Sequence, residues 1–218
     1  MIFGVSYSQW QFVLIGAGWT IVLSLLGFIG GTLLGLPIAI ARASRSRVLR
    51  ILSGLFVKLI QGIPLPVVMF IVYFGISIAG YDVPALIAAG VAMTLYSSAF
   101  LGEIWRGCIE SIPRTQWEAS DCLAFNKAQT LAYIILPQAF RVAIPPTVGF
   151  LVQIVKNSSY AVVIGFFDLT YSARVINNST FKPFAVFTVA ALIYFAMCYP
   201  LSILSYRLEK KLKDKTNR

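Results

Sequence analysis

Long apolar stretches, separated by short polar segments, run through most of this chain. Five windows are long enough to cross a bilayer as helices, which takes about 20 apolar residues each; they are residues 12–41, 51–79, 83–101, 142–167 and 184–206. The first and fourth windows are long enough to need tilt, a kink or an interfacial portion. No internal repeat or low-complexity linker divides the sequence, so the pattern predicts one all-α polytopic membrane domain with five spans over residues 1–218.

The distribution of basic residues predicts how these spans are oriented. Fourteen of the eighteen Lys and Arg residues fall on one side of the five-span arrangement, in the first loop, the central polar segment and the C-terminal tail. Because basic loops are retained in the cytoplasm, we expect the N-terminus outside and the C-terminus inside. Anionic lipid head groups on the inner leaflet then explain the net charge of +10 without a nucleic-acid partner.

Composition excludes several kinds of chemistry. Only 12% of the residues are charged, against roughly 25% in soluble domains. Histidine is absent and the three cysteines lack metal-ligand spacing, so no metal site is predicted. The eight acidic residues form no pair deep in one span, which argues against an intramembrane enzyme. No Walker-type phosphate loop is present, so any ATP must be bound by another chain.

A polar, helix-forming island at residues 118–137 interrupts the apolar pattern, inside a predicted cytoplasmic loop at about residues 106–137. Thr115, followed three residues later by Glu118, is typical of a capping box at a helix start. Asn126 and Gln129 repeat that signal. The pattern predicts a short helix, a break near residues 124–126 and a second helix, an element suited to docking into a partner on the membrane surface.

The island resembles the EAA signature of the permease subunits of binding-protein-dependent ABC importers, which reads Glu-Ala-Ala, three residues, Gly, nine residues, Ile, one residue, Leu-Pro. The matching places hold Glu118, Ala119, Ile134, Leu136 and Pro137. Ser120 replaces the second Ala, and Ala124 replaces the Gly. If that Gly adopts positive φ, Ala124 costs roughly 1 kcal/mol there, unless the turn has shifted to Asn126 or the break is milder.

Two shorter segments also resemble permeases of the amino-acid type. Gln61, Gly62 and Pro64 lie in a segment similar to the family's Arg-Gly-Thr-Pro-Leu element, and a gate or pore-wall role and a purely structural kink both remain open for it. Glu103 and Arg106 belong to a segment similar to Glu-Ile-Phe-Arg-Gly; their spacing predicts an ion pair on one helical face, with participation in an inner gate as the further alternative.

The fourth span carries the best candidates for substrate contact. Polar side chains inside a membrane usually face the bundle interior or a water-filled path, and this cluster resembles the family's Lys-Asn-Ser-Ser element; the residues are Gln153, Lys156, Asn157, Ser158 and Ser159. Asn157 stands where many relatives have a carboxylate, which favours neutral or acidic over cationic amino acids. The alternative is that these side chains only make hydrogen bonds to neighbouring helices and do not contact the substrate.

In the first span, Gly27, Gly31 and Gly35 recur every four residues and therefore share one helix face. Such small-residue stripes let helix backbones approach closely in lipid. The pattern predicts a contact with another helix or another subunit, the alternative being that glycine is simply frequent in membrane helices.

The resemblance implies a type I ABC importer permease in a bacterial inner membrane. It implies a second permease, two ATP-binding subunits that hold ATP and Mg²⁺, an extracytoplasmic solute-binding protein and an amino-acid substrate, with no cofactor in this chain. The segment that couples to the ATP-binding subunits would contain Trp117, Glu118, Ala119, Ser120 and Ala124. An autonomous secondary transporter or channel for small polar solutes is the alternative function.

Overall fold

A computed structural model describes residues 6–44 and 46–216 of the chain. Of the basic residues that the orientation argument uses, Arg45 and Arg218 lie outside these ranges. The described residues form helices and short connections. The all-α prediction is therefore confirmed.

The helices follow one another with short loops. They are α1 (Tyr7–Ala43), α2 (Arg47–Gly62), α3 (Leu65–Ile78), α4 (Ala85–Glu110), α5 (Arg114–Cys122), α6 (Lys127–Gln129), α7 (Leu136–Asn157), α8 (Leu169–Thr180) and α9 (Pro183–Thr216). A π-helical segment, Thr130–Ile135, joins α6 to α7, and a 3₁₀-helical segment, Ser158–Ile164, extends α7.

Four helical segments within the described ranges are long and apolar enough to cross a membrane: Tyr7–Ala43, Ala85–Glu110, Lys127–Ile164 and Pro183–Leu212. The pair α2 and α3 supplies a fifth if it crosses as one broken span. Four of the predicted windows thus coincide with long helices. The core between them is formed by α1, α3, α4 and α7 around Leu23, Met69, Met93, Leu101 and Ile154.

The second predicted window, residues 51–79, is not one continuous helix. α2 and α3 meet at an angle of 103°. Ile63 is extended (φ −107°, ψ 130°) and Pro64 is the N-cap of α3, in agreement with the steric preference for extended geometry at a residue that precedes proline. The kink that the sequence offered as an alternative is therefore present, and it is a sharp bend between two separate helices.

The glycine stripe of α1 packs against α4 of the same chain. A Cβ built on Gly27 would come within 2.8 Å of the Met93 Cβ, and one built on Gly35 within 3.2 Å of the Leu101 Cβ. A Cβ on Gly31 would overlap the Ser97 side chain. The predicted close contact is with another helix, and that helix lies within this chain.

Candidate functional site

The helix α5 begins differently from the sequence prediction. Pro113 occupies the N-cap position and no side chain caps the helix. Thr115 therefore lies inside the first turn, and the predicted capping box of Thr115 and Glu118 is wrong. Proline has a fixed φ suited to a helix start, so α5 can begin at Arg114 without a hydroxyl cap.

The second start signal is confirmed. The Gln129 amide donates to Asn126 Oδ1 over 3.0 Å, and the Asn126 amide donates to Gln129 Oε1 over 2.9 Å. The loop is shorter than the predicted residues 106–137, because α4 continues to Glu110 and α6 begins at Lys127. We call residues 111–126 the coupling segment.

Glu118 and Ala119 lie on the exposed side of α5. The opposite side of α5 faces its own chain, where Trp117 packs in a cluster with Ile109, Ile112 and Ile135. Glu118 and Ala119, the first two positions of the signature, are therefore accessible to another protein. The opposite side of α5 is held by contacts with its own chain.

Ser120 faces its own chain, and its part in coupling stays a prediction. Its side chain is fully buried; the hydroxyl donates to the Trp117 carbonyl over 2.6 Å and shares a 3.0 Å hydrogen bond with the Thr130 hydroxyl. Ser120 cannot contact another protein in this conformation. It instead fastens α5 to the π-helical segment, which explains why a small hydroxyl residue fits at this place in the signature.

Ala124 makes the turn of the coupling segment by itself. Its φ is +57°, whereas Asn126 has φ −73° and an extended conformation. The alternatives of a shifted turn or a milder break are thereby settled: Ala124 occupies the left-handed region that favours glycine. The amides of Leu123, Ala124 and Phe125 all donate to carbonyls of α5, which holds the turn in place.

We expect the substitution Ala124→Gly to stabilise the coupling segment. Relief of left-handed strain is worth about 1–2 kcal/mol, and the greater entropy of glycine in the unfolded chain removes part of this, so the net gain is about 1 kcal/mol. Hydrogen exchange of the backbone amides in residues 118–130 would measure it as slower local opening. The control is Ala119→Gly inside α5, where glycine should cost about 1 kcal/mol and speed exchange. Faster exchange in Ala124→Gly would contradict the assignment of strain.

The Leu-Pro end of the signature marks the transition from π to α geometry. Leu136 donates its amide to the Leu131 carbonyl, a π-type bond, and Pro137 has no amide hydrogen to give. The Gln138 side chain donates instead to the Ile134 carbonyl over 2.8 Å and to Gln116 of α5 over 3.2 Å. Local π geometry often occurs at functional sites, and here it links the coupling segment to the fourth span.

Glu103 and Arg106 form the predicted ion pair, with Arg106 Nη2 at 2.6 Å from Glu103 Oε1. The structure adds two partners that the sequence analysis missed. Arg42 at the end of α1 approaches the other oxygen of Glu103 at 3.1 Å, and Arg106 also pairs with Glu110. We call these four residues the charge cluster. The Arg106–Glu110 spacing was readable in the sequence as an i,i+4 pair, but the Arg42 contact across two helices was not.

The bend between α2 and α3 contacts the same part of α4 that carries the charge cluster. Gln61 donates its side-chain amide to the Ala99 carbonyl over 3.5 Å, a contact at the limit for hydrogen bonding. Gly62 has open space where a side chain would begin, and Pro64 opens α3. The structural kink predicted as one alternative for this segment is therefore observed. A gate or pore-wall role remains a prediction.

The polar cluster of the fourth span divides into exposed and buried members. Gln153 and Lys156 are exposed and Ser159 is partly exposed, while Asn157 and Ser158 are buried. Gln153 donates to Asn157 Oδ1 over 3.0 Å, and the Ser158 hydroxyl donates to the Val155 carbonyl over 2.8 Å. In this conformation the hydrogen bond from Gln153 to Asn157 orients Gln153. Asn157 and Ser158 both make these hydrogen bonds within their own chain.

Comparison with known proteins identifies the family that this chain matches. Residues 31–214 match the family described as binding-protein-dependent transport system inner membrane component. The chain is 35% identical to the probable amino-acid ABC transporter permease protein YckA of Bacillus subtilis, over 95% of this chain and 92% of that protein. It is 37% identical to the probable glutamine ABC transporter permease protein GlnM of the same organism, over 89% and 90%.

Solved structures agree with the sequence relatives. A crystal structure of an amino acid ABC transporter with histidines has a chain that superposes with a TM-score of 0.86 at 31% identity, covering 92% of this chain and 94% of that one. The methionine ABC transporter in inward-facing conformations shares the fold, with a TM-score of 0.78 at 17% identity over 95% and 99%. The chain therefore belongs to the inner-membrane components of binding-protein-dependent transport systems and is a multi-pass permease of the amino-acid ABC transporter type.

Proposed function

We propose that this permease works as one of two permease subunits in an importer of polar amino acids. Two ATP-binding subunits would bind all the ATP and Mg²⁺ and carry out hydrolysis, and an extracytoplasmic solute-binding protein would deliver the substrate. The N-terminus would lie outside, with the coupling segment and the C-terminus in the cytoplasm. ATP-driven closure of the two partners would move α5 and switch the access of the path.

The observation that carries this proposal is the two-sided construction of α5. Glu118 and Ala119 face outward, whereas Ser120 and Trp117 bind the helix to the base of α7. A partner that moves the exposed side must therefore move the start of the fourth span with it. That is the mechanical requirement for coupling hydrolysis in one subunit to a rearrangement in another.

The exposed polar face of α7 supports a substrate preference. Gln153 and Lys156 are three residues apart and lie on one helix face, and polar groups at such depth usually face a water-filled path or a neighbouring helix. Residues 147–164 contain no Asp or Glu. This helix contributes one ammonium group and no carboxylate to the path, which attracts the carboxylate of a solute and repels a cationic side chain. We therefore propose neutral or acidic amino acids, rather than cationic ones, as substrates.

The alternative, an autonomous transporter or channel, is not favoured. The sequence relatives are ABC transporter permeases, and a lone channel would have no use for an anchored, outward-facing coupling segment. No observation within the described residues specifically supports solitary transport.

A pull-down from the native membrane in mild detergent tests the proposal. We expect an ATP-binding chain and a second permease, identical or homologous, to co-purify, and ATPase activity to be present. In proteoliposomes, uptake should require ATP inside and the binding protein outside, and glutamine or glutamate should compete better than arginine. Recovery of the chain alone with solute flux but no ATPase would refute the proposal. Uptake inhibited best by arginine would refute only the substrate preference.

A further inference from the structure

A groove between α7 and α9 lies at the end of the bundle next to the coupling segment. Its volume is about 540 Å³, within the range of roughly 300–1,000 Å³ that small-molecule sites occupy. Gln138 and Arg141 line it from α7, and Leu208 and Lys211 line it from α9. On each helix these residues are three apart and so share one face.

The charge of the groove is positive and uncompensated. Neither Arg141 nor Lys211 has an acidic partner within ion-pair distance among the described residues, although Arg42 and Arg106 of the same chain are both paired. The groove lining contains no Asp or Glu. The amide of Gln138 already donates to Ile134 and Gln116, so the two cations, Arg141 and Lys211, form the recognition site for a singly or doubly negative oxyanion.

The rest of the groove lining forms an apolar wall. Val142, Ile144 and Leu208 form this wall, and the Ser205 hydroxyl donates to the Pro145 carbonyl over 2.9 Å, which fixes the spacing of the two helices there. The spanning window of α9 is the least buried of the four long spans, at 17%. Most of that window of α9 is therefore uncovered by the rest of this chain.

Three large, exposed aromatic side chains lie on the segments that form the groove or lead into it. Tyr133, Phe140 and Tyr206 are all about 70% exposed. Aromatic residues are enriched where the hydrocarbon region meets the head groups. Phe140 adjoins Arg141 in the sequence and Tyr206 lies two residues before Leu208, which supports head-group depth for the basic residues and acyl-chain depth for the apolar wall.

We propose that the groove binds one anionic phospholipid, with its phosphate between Arg141 and Lys211 and one acyl chain along Val142 and Leu208. Basic pockets between membrane helices on the cytoplasmic side bind such head groups. A free phosphate would use the two cations but leave the apolar wall in water. An acidic segment of a partner protein would use the charges but would have to enter the acyl region.

The test uses the complex as extracted from the membrane, delipidated and placed in nanodiscs of phosphatidylcholine with a minor fraction of photoactivatable phosphatidylglycerol. The double variant Arg141→Gln/Lys211→Gln is compared with Arg207→Gln/Lys210→Gln, which removes the same charge from the same end of the chain outside the groove. A third variant, Leu208→Trp, fills the apolar wall without changing charge. Size-exclusion chromatography confirms that each variant is folded.

Saturable labelling that maps to residues 138–145 or 208–212 is expected for the unmodified chain and for the control. Each basic residue contributes roughly a fivefold factor at a membrane surface, so the groove double variant should bind about 25-fold more weakly. Leu208→Trp should also reduce labelling. Equal labelling in all variants overturns the proposal. Competition by inorganic phosphate as strong as by the intact lipid, or cross-links from groove positions into another protein subunit, overturns it as well.

Discussion

Replacement of Gly31 by leucine is expected to abolish stable packing of α1 against α4. A Cβ at this position already overlaps the Ser97 side chain, and the nearest backbone atom of Ser97 is 3.1 Å away. Inserting extra groups into a close-packed interface typically costs about 1–3 kcal/mol when neighbours can shift, and here the obstruction includes backbone. The helices would have to separate along the length of the glycine stripe, so we expect little monodisperse protein.

Gly18→Leu is the matched control for that experiment, because it lies in the same helix and has no atom within 4 Å of its would-be Cβ. Both variants add the same side chain to α1 and leave the mean hydropathy of the chain equally changed. The measurement is the fraction of folded protein by fluorescence-detected size exclusion and its melting temperature. A Gly31→Leu protein as stable as Gly18→Leu would show that the two helices are not held together as described.

Reversal of the charge at Glu118 is expected to separate ATP hydrolysis from uptake. The side chain is exposed on α5 and forms no hydrogen bond or ion pair within the described parts of the chain, so Glu118→Lys should leave this subunit folded. A charge mismatch across a partner interface costs several kcal/mol, which corresponds to a loss of uptake of about a hundredfold or more. Binding-protein-stimulated hydrolysis should fall less than uptake, because the ATP sites themselves are unchanged.

The control for Glu118 is Asp214→Lys, an exposed acid at the far end of α9. It makes the same change in net charge and should leave uptake near its normal level. Uptake and stimulated ATPase activity are measured in parallel in proteoliposomes. Normal coupling in Glu118→Lys, or an equal defect in both variants, would remove Glu118 from the partner interface.

Features set by neighbouring residues were predictable from the sequence. The capping box of Asn126 and Gln129 depends on residues three apart, and the Glu103–Arg106 pair lies within one turn of one helix. The glycine stripe was visible as a face for the same reason. The long apolar windows likewise predicted four of the helices, since span length is fixed by the thickness of the bilayer.

Features set by tertiary packing were not predictable in the same way. Ser120 looked like part of a docking surface, and its burial follows from where Thr130 lies after the chain has turned back. The pairing of Arg42 with Glu103 joins residues 61 positions apart. The predicted start of α5 was wrong because Thr115 has the pattern of a capping residue. Pro113, two residues earlier, is an equally acceptable helix start that needs no side-chain cap.

The charge cluster has an electrical consequence for any movement of the two helices that carry it. Arg42, Arg106, Glu103 and Glu110 together carry no net charge. Moving one elementary charge through the membrane field changes the free energy by about 2.3 kcal/mol per 100 mV, whereas moving a neutral quartet as a unit changes it by almost nothing. A displacement of this end of α4 together with α1 would therefore be electrically silent, so the membrane potential would neither drive nor oppose it.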